Sequence, residues 1–154
     1  MLTLAALNAD LAAATAELAA LDAALATLRE RGVAVRHLLD GANRSRYARA
    51  ASVNVVEAVV RDGGTRLVAR CVGNEEYRVQ VVIGAGFMCS CPDHGRVGAC
   101  KHVVAVANRY LVNYARPEWT RLTAERANVV SGLAYLEDGE DPADMAERLA
   151  LRAC

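Results

Sequence analysis

The chain has 154 residues, which is room for one ordinary domain or a compact domain with appendages. Apolar residues make up 54%, which excludes wholesale disorder, while aromatics are only 5%, so the core must be built from aliphatic side chains. Cationic and anionic side chains number 18 each, so bulk charge alone does not announce a nucleic-acid binder.

Residues 2–31 read as one long helix. Leu4, Leu7, Leu11, Ala14, Leu18, Leu21, Leu25 and Leu28 recur at spacings of three and four without a slip, the heptad pattern of a coiled coil. Gly32 reads as its end. Two partners suit such a stripe: the helix packs along its own domain, or it pairs between chains. A helix of about 28 residues spans roughly 42 Å, more than a small domain covers, which favours self-association through residues 4–28. Residues 33–50 read as a short helix, a turn at Asp40-Gly41, and a second short helix through Arg44, Arg46 and Arg49.

From Val53 the period changes. Three strands follow, over Val53–Val60, Leu67–Val72 and Tyr77–Ile83, broken by Asp62-Gly63-Gly64 and Gly73-Asn74; a fourth short strand covers Phe87–Cys89. Alternation with glycine turns predicts an antiparallel meander. Lys101–Tyr114 reads as a helix stopped by Pro117. Another helix is expected over Thr123–Leu136, and a last one from Asp141 with Pro142 in its first turn.

Net zero charge hides a segregation. Residues 1–28 carry −3, residues 29–126 carry +7 (16 cations against nine acids), and residues 127–154 carry −4. All cations but Lys101 are Arg. No stretch reads as a transmembrane span, because Asp10, Glu17 and Asp22 interrupt the apolar N-terminus, which also lacks the basic start of a signal peptide. This predicts a cytoplasmic protein, nucleoid-associated if prokaryotic. In that reducing compartment five Cys point to metal or catalysis before disulfides.

The sharpest motif is Cys89-Ser90-Cys91, eight residues, then Cys100-Lys101-His102. Cys89 and Cys91 are spaced by two on a strand and face one side. Cys100 and His102 sit where a loop meets a helix and can turn back to the same point. Three thiolates and one imidazole complete a closed tetrahedral shell, the donor set of a single structural zinc ion. A catalytic Cys–His pair would need a third group to orient the base, and none is obviously placed. No catalytic residue is therefore assigned. His94, in mid-loop, is read as solvent-exposed and outside the shell. Cys71 reads as a core residue and Cys154 as a terminal one.

Cys-Ser-Cys-Pro, a short loop with Gly95 and Gly98, then Cys-Lys-His-Val-Val-Ala-Val resembles the SWIM zinc finger, over roughly residues 44–112. The resemblance implies a small ββα zinc module with Cys89, Cys91, Cys100 and His102 as ligands. The family occurs in chromatin remodellers, transposases and recombination mediators, where it binds DNA or proteins. The expected fold is therefore α+β: a small antiparallel meander with a zinc-bound ββα module, flanked by a heptad helix (residues 1–31) and C-terminal helices (residues 117–154), with the zinc domain at 32–116. The expected function is non-enzymatic DNA binding, as an accessory factor in recombination, repair or transposition. The candidate phosphate contacts are Arg44, Arg46, Arg49, Arg96, Lys101 and Arg109, with Arg29, Arg31 and Arg36 as extensions. The alternative is a protein adaptor that uses the zinc module and the heptad helix without touching DNA.

Overall fold

A computed structural model describes residues 4–42 and 44–137. The element order is α1 (Leu4–Asp40), α2 (Arg44–Ala50), β1 (Asn54–Arg61), β2 (Arg66–Val72), β3 (Glu76–Val82), β4 (Gly86–Cys89), α3 (His94–Val97), α4 (Lys101–Tyr110), a π turn (Leu111–Ala115) and α5 (Arg116–Glu137). The class is α+β. Contacts divide the chain into two compact units, residues 1–27 with 119–154, and residues 28–118. The helix expected from Asp141 lies outside the described residues, as does Cys154.

The second unit is built on the sheet. Its four strands run antiparallel in the order β1-β2-β3-β4, as the alternation and the glycine turns predict. The inward face presents Val55, Leu67, Ala69, Cys71, Val79 and Val81, all buried. Helix α4 packs across it and supplies Val103, Val104, Val106, Ala107 and Tyr110, none more than 2% exposed. Each buried aliphatic side chain of this size contributes roughly 1.5–3 kcal/mol, and β-branched valines suit both the pleat and the tight approach of a helix. Helix α2 packs on α4 in turn. Strand β1 carries a bulge between Val55 and Glu57, and the Arg109 guanidinium of α4 donates to the Val55 carbonyl there, at 2.5 Å.

Two helix boundaries differ from expectation. Gly32 does not end α1; the helix continues to Asp40. The reason is the stripe itself: Leu28, Gly32, Val35 and Leu39 extend it at spacings of four, three and four, and all four are buried. Burial of those side chains outweighs the roughly 1 kcal/mol that a mid-helix glycine costs. The turn at Asp40-Gly41 is where α1 does end, with Gly41 N–H donating to the His37 carbonyl. Likewise Pro117 does not stop the helical path. It falls directly after the π turn, whose wider register accommodates a residue without an N–H inside a continuous helical path. The two expected C-terminal pieces are thus one path from Lys101 to Glu137.

By length and composition α1 is also long and apolar enough to cross a membrane, contrary to the expectation drawn from its acids. Ala and Leu so dominate the helix that an 18-residue window holds at most two charged residues.

The first unit pairs residues of α1 with residues of α5. Arg126 bonds Asp22 across the pair. Leu7, Leu11, Ala14, Leu18, Leu21 and Leu25 are each half-buried, so the heptad stripe is covered only in part.

Gly64 is a position where the backbone demands glycine. Its φ is +90°, and a Cβ there would meet the Arg31 Nη1 at 2.5 Å, where that side chain donates to the Gly63 carbonyl at 2.7 Å. Gly64→Ala should destabilise the protein by about 1–3 kcal/mol, read as a lowered midpoint in thermal or urea unfolding. Gly73→Ala, with open space around it, should shift the midpoint far less; equal shifts would count against this account.

Candidate metal centre

Strand β4 ends at Cys89, and β3 holds the chain extended one residue further. The Arg78 N–H donates to Ser90 Oγ at 2.9 Å, and the Ser90 N–H donates to the Arg78 carbonyl at 3.0 Å. Extended backbone on both sides of Ser90 turns Cys89 and Cys91 to one side. The chain then folds tightly: His94 N–H bonds the Cys91 carbonyl at 3.2 Å and Arg96 N–H the Asp93 carbonyl at 3.1 Å. Gly98, at φ +68° and ψ −121°, reverses direction in a region closed to side-chain-bearing residues. Cys100 follows in extended geometry as the residue before α4, and Val104 N–H bonds its carbonyl at 3.0 Å. His102 lies in the first turn of α4.

These steps bring four donor atoms together. The ligand atoms of Cys89, Cys91, Cys100 and His102 all lie within 4.8 Å of one another. His102 Nδ1 is 3.8 Å from the Cys89 sulfur and 3.9 Å from the Cys100 sulfur. Metal–sulfur bonds of about 2.3 Å and metal–nitrogen bonds of about 2.0–2.1 Å in a tetrahedron imply edges of roughly 3.6–3.8 Å, so the cluster is close to the size needed and could hold a metal ion. All four residues are buried, from 1% exposed for Cys100 to 9% for Cys89. His102 is the one buried side chain of polar character among the described residues, and such a group needs a partner. The Tyr77 ring lies over its imidazole, with centroids 4.6 Å apart.

The thiols perturb one another. A hydrogen bond from Cys89 draws the Cys100 thiol down to about 4, helped by the backbone N–H groups of Val103 and His102 at the start of α4, against the effect of burial. The same hydrogen bond, followed by burial, drives Cys89 well up. Burial also raises Cys91. One anion is therefore comfortable here and three are not, unless a cation sits among them. Cys71, fully buried in β2 as expected, is pushed up to about 11 chiefly by burial and belongs to the core.

His94 stands outside the four-residue group, but it is not simply solvent-exposed. Its ring is half-buried and meets Phe87 edge-on at 5.7 Å, because the short α3 folds back over β4.

The candidate cations divide by what they hold. Arg44, Arg46 and Arg49 lie on α2, the helix packed on α4. Arg49 also donates to the Ser45 carbonyl within that helix. Arg96 is exposed on α3 and Lys101 half-exposed between two ligands. Arg109 is engaged by the Val55 carbonyl and Arg31 by the Gly63 carbonyl, so both brace the fold. Sequence reasoning passed over a further set. The strand register sets Arg61 beside Arg66 and Arg70 beside Arg78, on the sheet face turned away from α4. The even spacing of Arg66, Arg70 and Arg78 within alternating strands was the available signal. Asp62 pairs with Arg66, and Glu57 and Glu76 pair with Arg70, so the net charge of this face is small.

No family model, curated protein or solved structure matches the chain.

Protein prepared without chelator should carry one metal ion per chain by elemental analysis, and Cys91→Ser should lose it. With Cys89 and Cys91 raised above their ordinary 9.0, both are protonated at neutral pH before an ion enters. Binding then releases about two protons, and apparent affinity should rise roughly 100-fold per pH unit around neutrality. A competition titration against a chromogenic chelator measures this, and an affinity that stays flat across that range contradicts it.

Proposed function

We propose that the chain is a non-enzymatic zinc-finger protein of the SWIM type that binds DNA, as an accessory factor in recombination, repair or transposition. The observation that carries the proposal is the buried four-ligand cluster joining strand β4 to the first turn of α4. It supports a strand-strand-helix module over β3, β4 and α4. Three sulfurs and one imidazole in a tetrahedral cluster favour zinc over harder cations. A four-ligand shell leaves no open position for a substrate, so the ion's role is structural. It would contribute on the order of 10 kcal/mol to folding of the module.

The charge distribution supports nucleic acid as the partner. Residues 28–118 hold 14 cations against eight acids, a balance of +6. Arg96 and Lys101 flank the ligands, and the helix bearing Arg44, Arg46 and Arg49 packs on the helix bearing His102. Arginines of this kind contact phosphates and give affinity with little sequence preference. Arg109 and Arg31 contribute less, because their guanidinium groups already serve backbone carbonyls.

A protein adaptor without DNA contact is the second reading, and one observation favours it. The outward sheet face sets Val59, Val68, Gln80 and Met88 in one cross-strand row, with Met88 65% and Val59 37% exposed. Apolar side chains in a row between arginines suit a protein surface.

Fluorescence anisotropy with single- and double-stranded oligonucleotides separates the two. DNA binding should be clear at ~50 mM salt and fall steeply by ~200 mM. Replacing Arg44, Arg46 and Arg49 together by Ala should weaken it about equally across sequences and flatten the salt slope by up to roughly three units, while metal content stays at one per chain. No binding to either form at ~50 mM salt leaves the adaptor.

A further inference from the structure

Within the unit of residues 1–27 and 119–154, only Leu122 is buried among the described residues. The unit's apolar side chains nevertheless form two matched stripes. On α1 they are Leu7, Leu11, Ala14, Leu18, Leu21 and Leu25. On α5, Leu122, Val129, Leu133 and Leu136 hold heptad spacings, with Arg126 in the one place where an apolar residue would complete the stripe. All of these except Leu122 are half-buried. The two segments enter the unit at 27 and 119 and run away from those points in opposite chain directions. The Asp22–Arg126 ion pair ties them together. An antiparallel hairpin in the register of that pair would set Leu25 level with Leu122, Leu18 with Val129, and Ala14 with Leu133, and the half-burial of all of these but Leu122 would leave one side of its seam open.

We propose that a second copy of this chain covers the open side, so that two hairpins form a four-helix bundle. The described residues of α5 in this unit, 119–137, limit the two-helix seam to about 28 Å. Two helices about 10 Å apart make it about 20 Å wide. Such a face offers on the order of 550 Å² per copy, about two thirds of the roughly 800 Å² per partner of a standard interface and in the size class of weak, concentration-dependent association. Two other occupants fit worse. Asp10, Glu17, Asp22, Glu125 and Glu137 against Arg121 and Arg126 leave these residues at −3, which repels nucleic acid. A bilayer would have to take up an ion pair on the seam and acids spread along both helices. A plain parallel pair of α1 helices also fits worse. It would set Glu17 of one chain opposite Asp22 of the other at flanking heptad positions, two like charges. In the hairpin Asp22 already faces Arg126, whose place within the α5 stripe fixes the register.

Sedimentation of the full chain with its metal tests this. At tens of micromolar (a rough range for modest helical interfaces) the wild type should have twice the chain mass of 16.4 kDa. Leu18→Asp on α1 and Leu133→Asp on α5 should each halve the mass while metal content holds at one per chain. A wild-type monomer overturns the proposal, and so does co-flotation of the wild type with neutral lipid vesicles. A Leu133→Asp dimer broken only by Leu18→Asp also overturns it, since that is the signature of a coil made by α1 alone. If circular dichroism shows that either variant has lost its helices, the wild-type mass and its fall on dilution decide.

Discussion

Four donor atoms within 4.8 Å of one another constrain everything else in the residue 28–118 unit. Cys89 and Cys91 belong to the end of the sheet, Cys100 and His102 to the start of α4. Bringing them together fixes the angle at which α4 crosses the strands. That crossing decides which valines meet: Val103, Val104 and Val106 against Val79 and Val81, all no more than 2% exposed. The aliphatic core and the donor cluster are two regions of one contact between helix and sheet. In a core almost without aromatic rings, each side chain supplies little area, so a loss at one region is felt at the other. Three crowded thiols without a cation also set a limit. Their burial resists multiple ionisation, so the arrangement is most stable with a positive charge at its centre.

The arginines show how one residue type serves opposite ends. Arg31 and Arg109 reach carbonyls at the Gly63 turn and the β1 bulge, positions where the regular ladder has been interrupted and an acceptor would otherwise lack a partner. A planar guanidinium with five donors can satisfy such a carbonyl and still present nitrogen atoms outward. Arg44 and Arg49 on α2 and Arg96 beside the donor cluster are exposed, and the positive balance of residues 28–118 rests in part on such side chains.

The sheet and the donor cluster were legible in the sequence because each rests on short-range chemistry. Alternation with glycine turns states a meander, and C-x-C with C-x-H states a point of convergence. The helix boundaries were not, because each depends on competition. Gly32 carries a stop signal that burial at Leu28, Val35 and Leu39 overrides. Pro117 carries a stop signal that the π turn before it accommodates. His94 looked like a surface residue until the fold of α3 set it against Phe87. Arg109 looked like a surface cation until the β1 bulge offered it an acceptor, and nothing within either local sequence encodes that meeting. The α5 stripe escaped notice because Arg126 stands where an apolar residue would complete it.

A heptad stripe states that a face is to be covered, not what covers it. In α1 one stripe runs through both units. From Leu28 onward its members are buried within residues 28–118, and before that point Leu7, Leu11, Ala14, Leu18, Leu21 and Leu25 are half-buried while Leu4 is 76% exposed. Helix propensity runs the other way, since residues 4–27 are mostly alanine and leucine while residues 28–40 include Gly32, Val33 and Val35. The difference lies in supply. Residues 28–118 hold a sheet and three further helices with apolar side chains to spare, while among the described residues the 4–27 stretch shares its unit with one helix, α5. A pair of helices can shield only the side chains directly between them, because each cylinder offers its neighbour one narrow face. The remaining apolar surface of such a pair is set by geometry, whatever its sequence. It disappears only when more helices are added, which is why paired stripes of this kind are a feature of bundles.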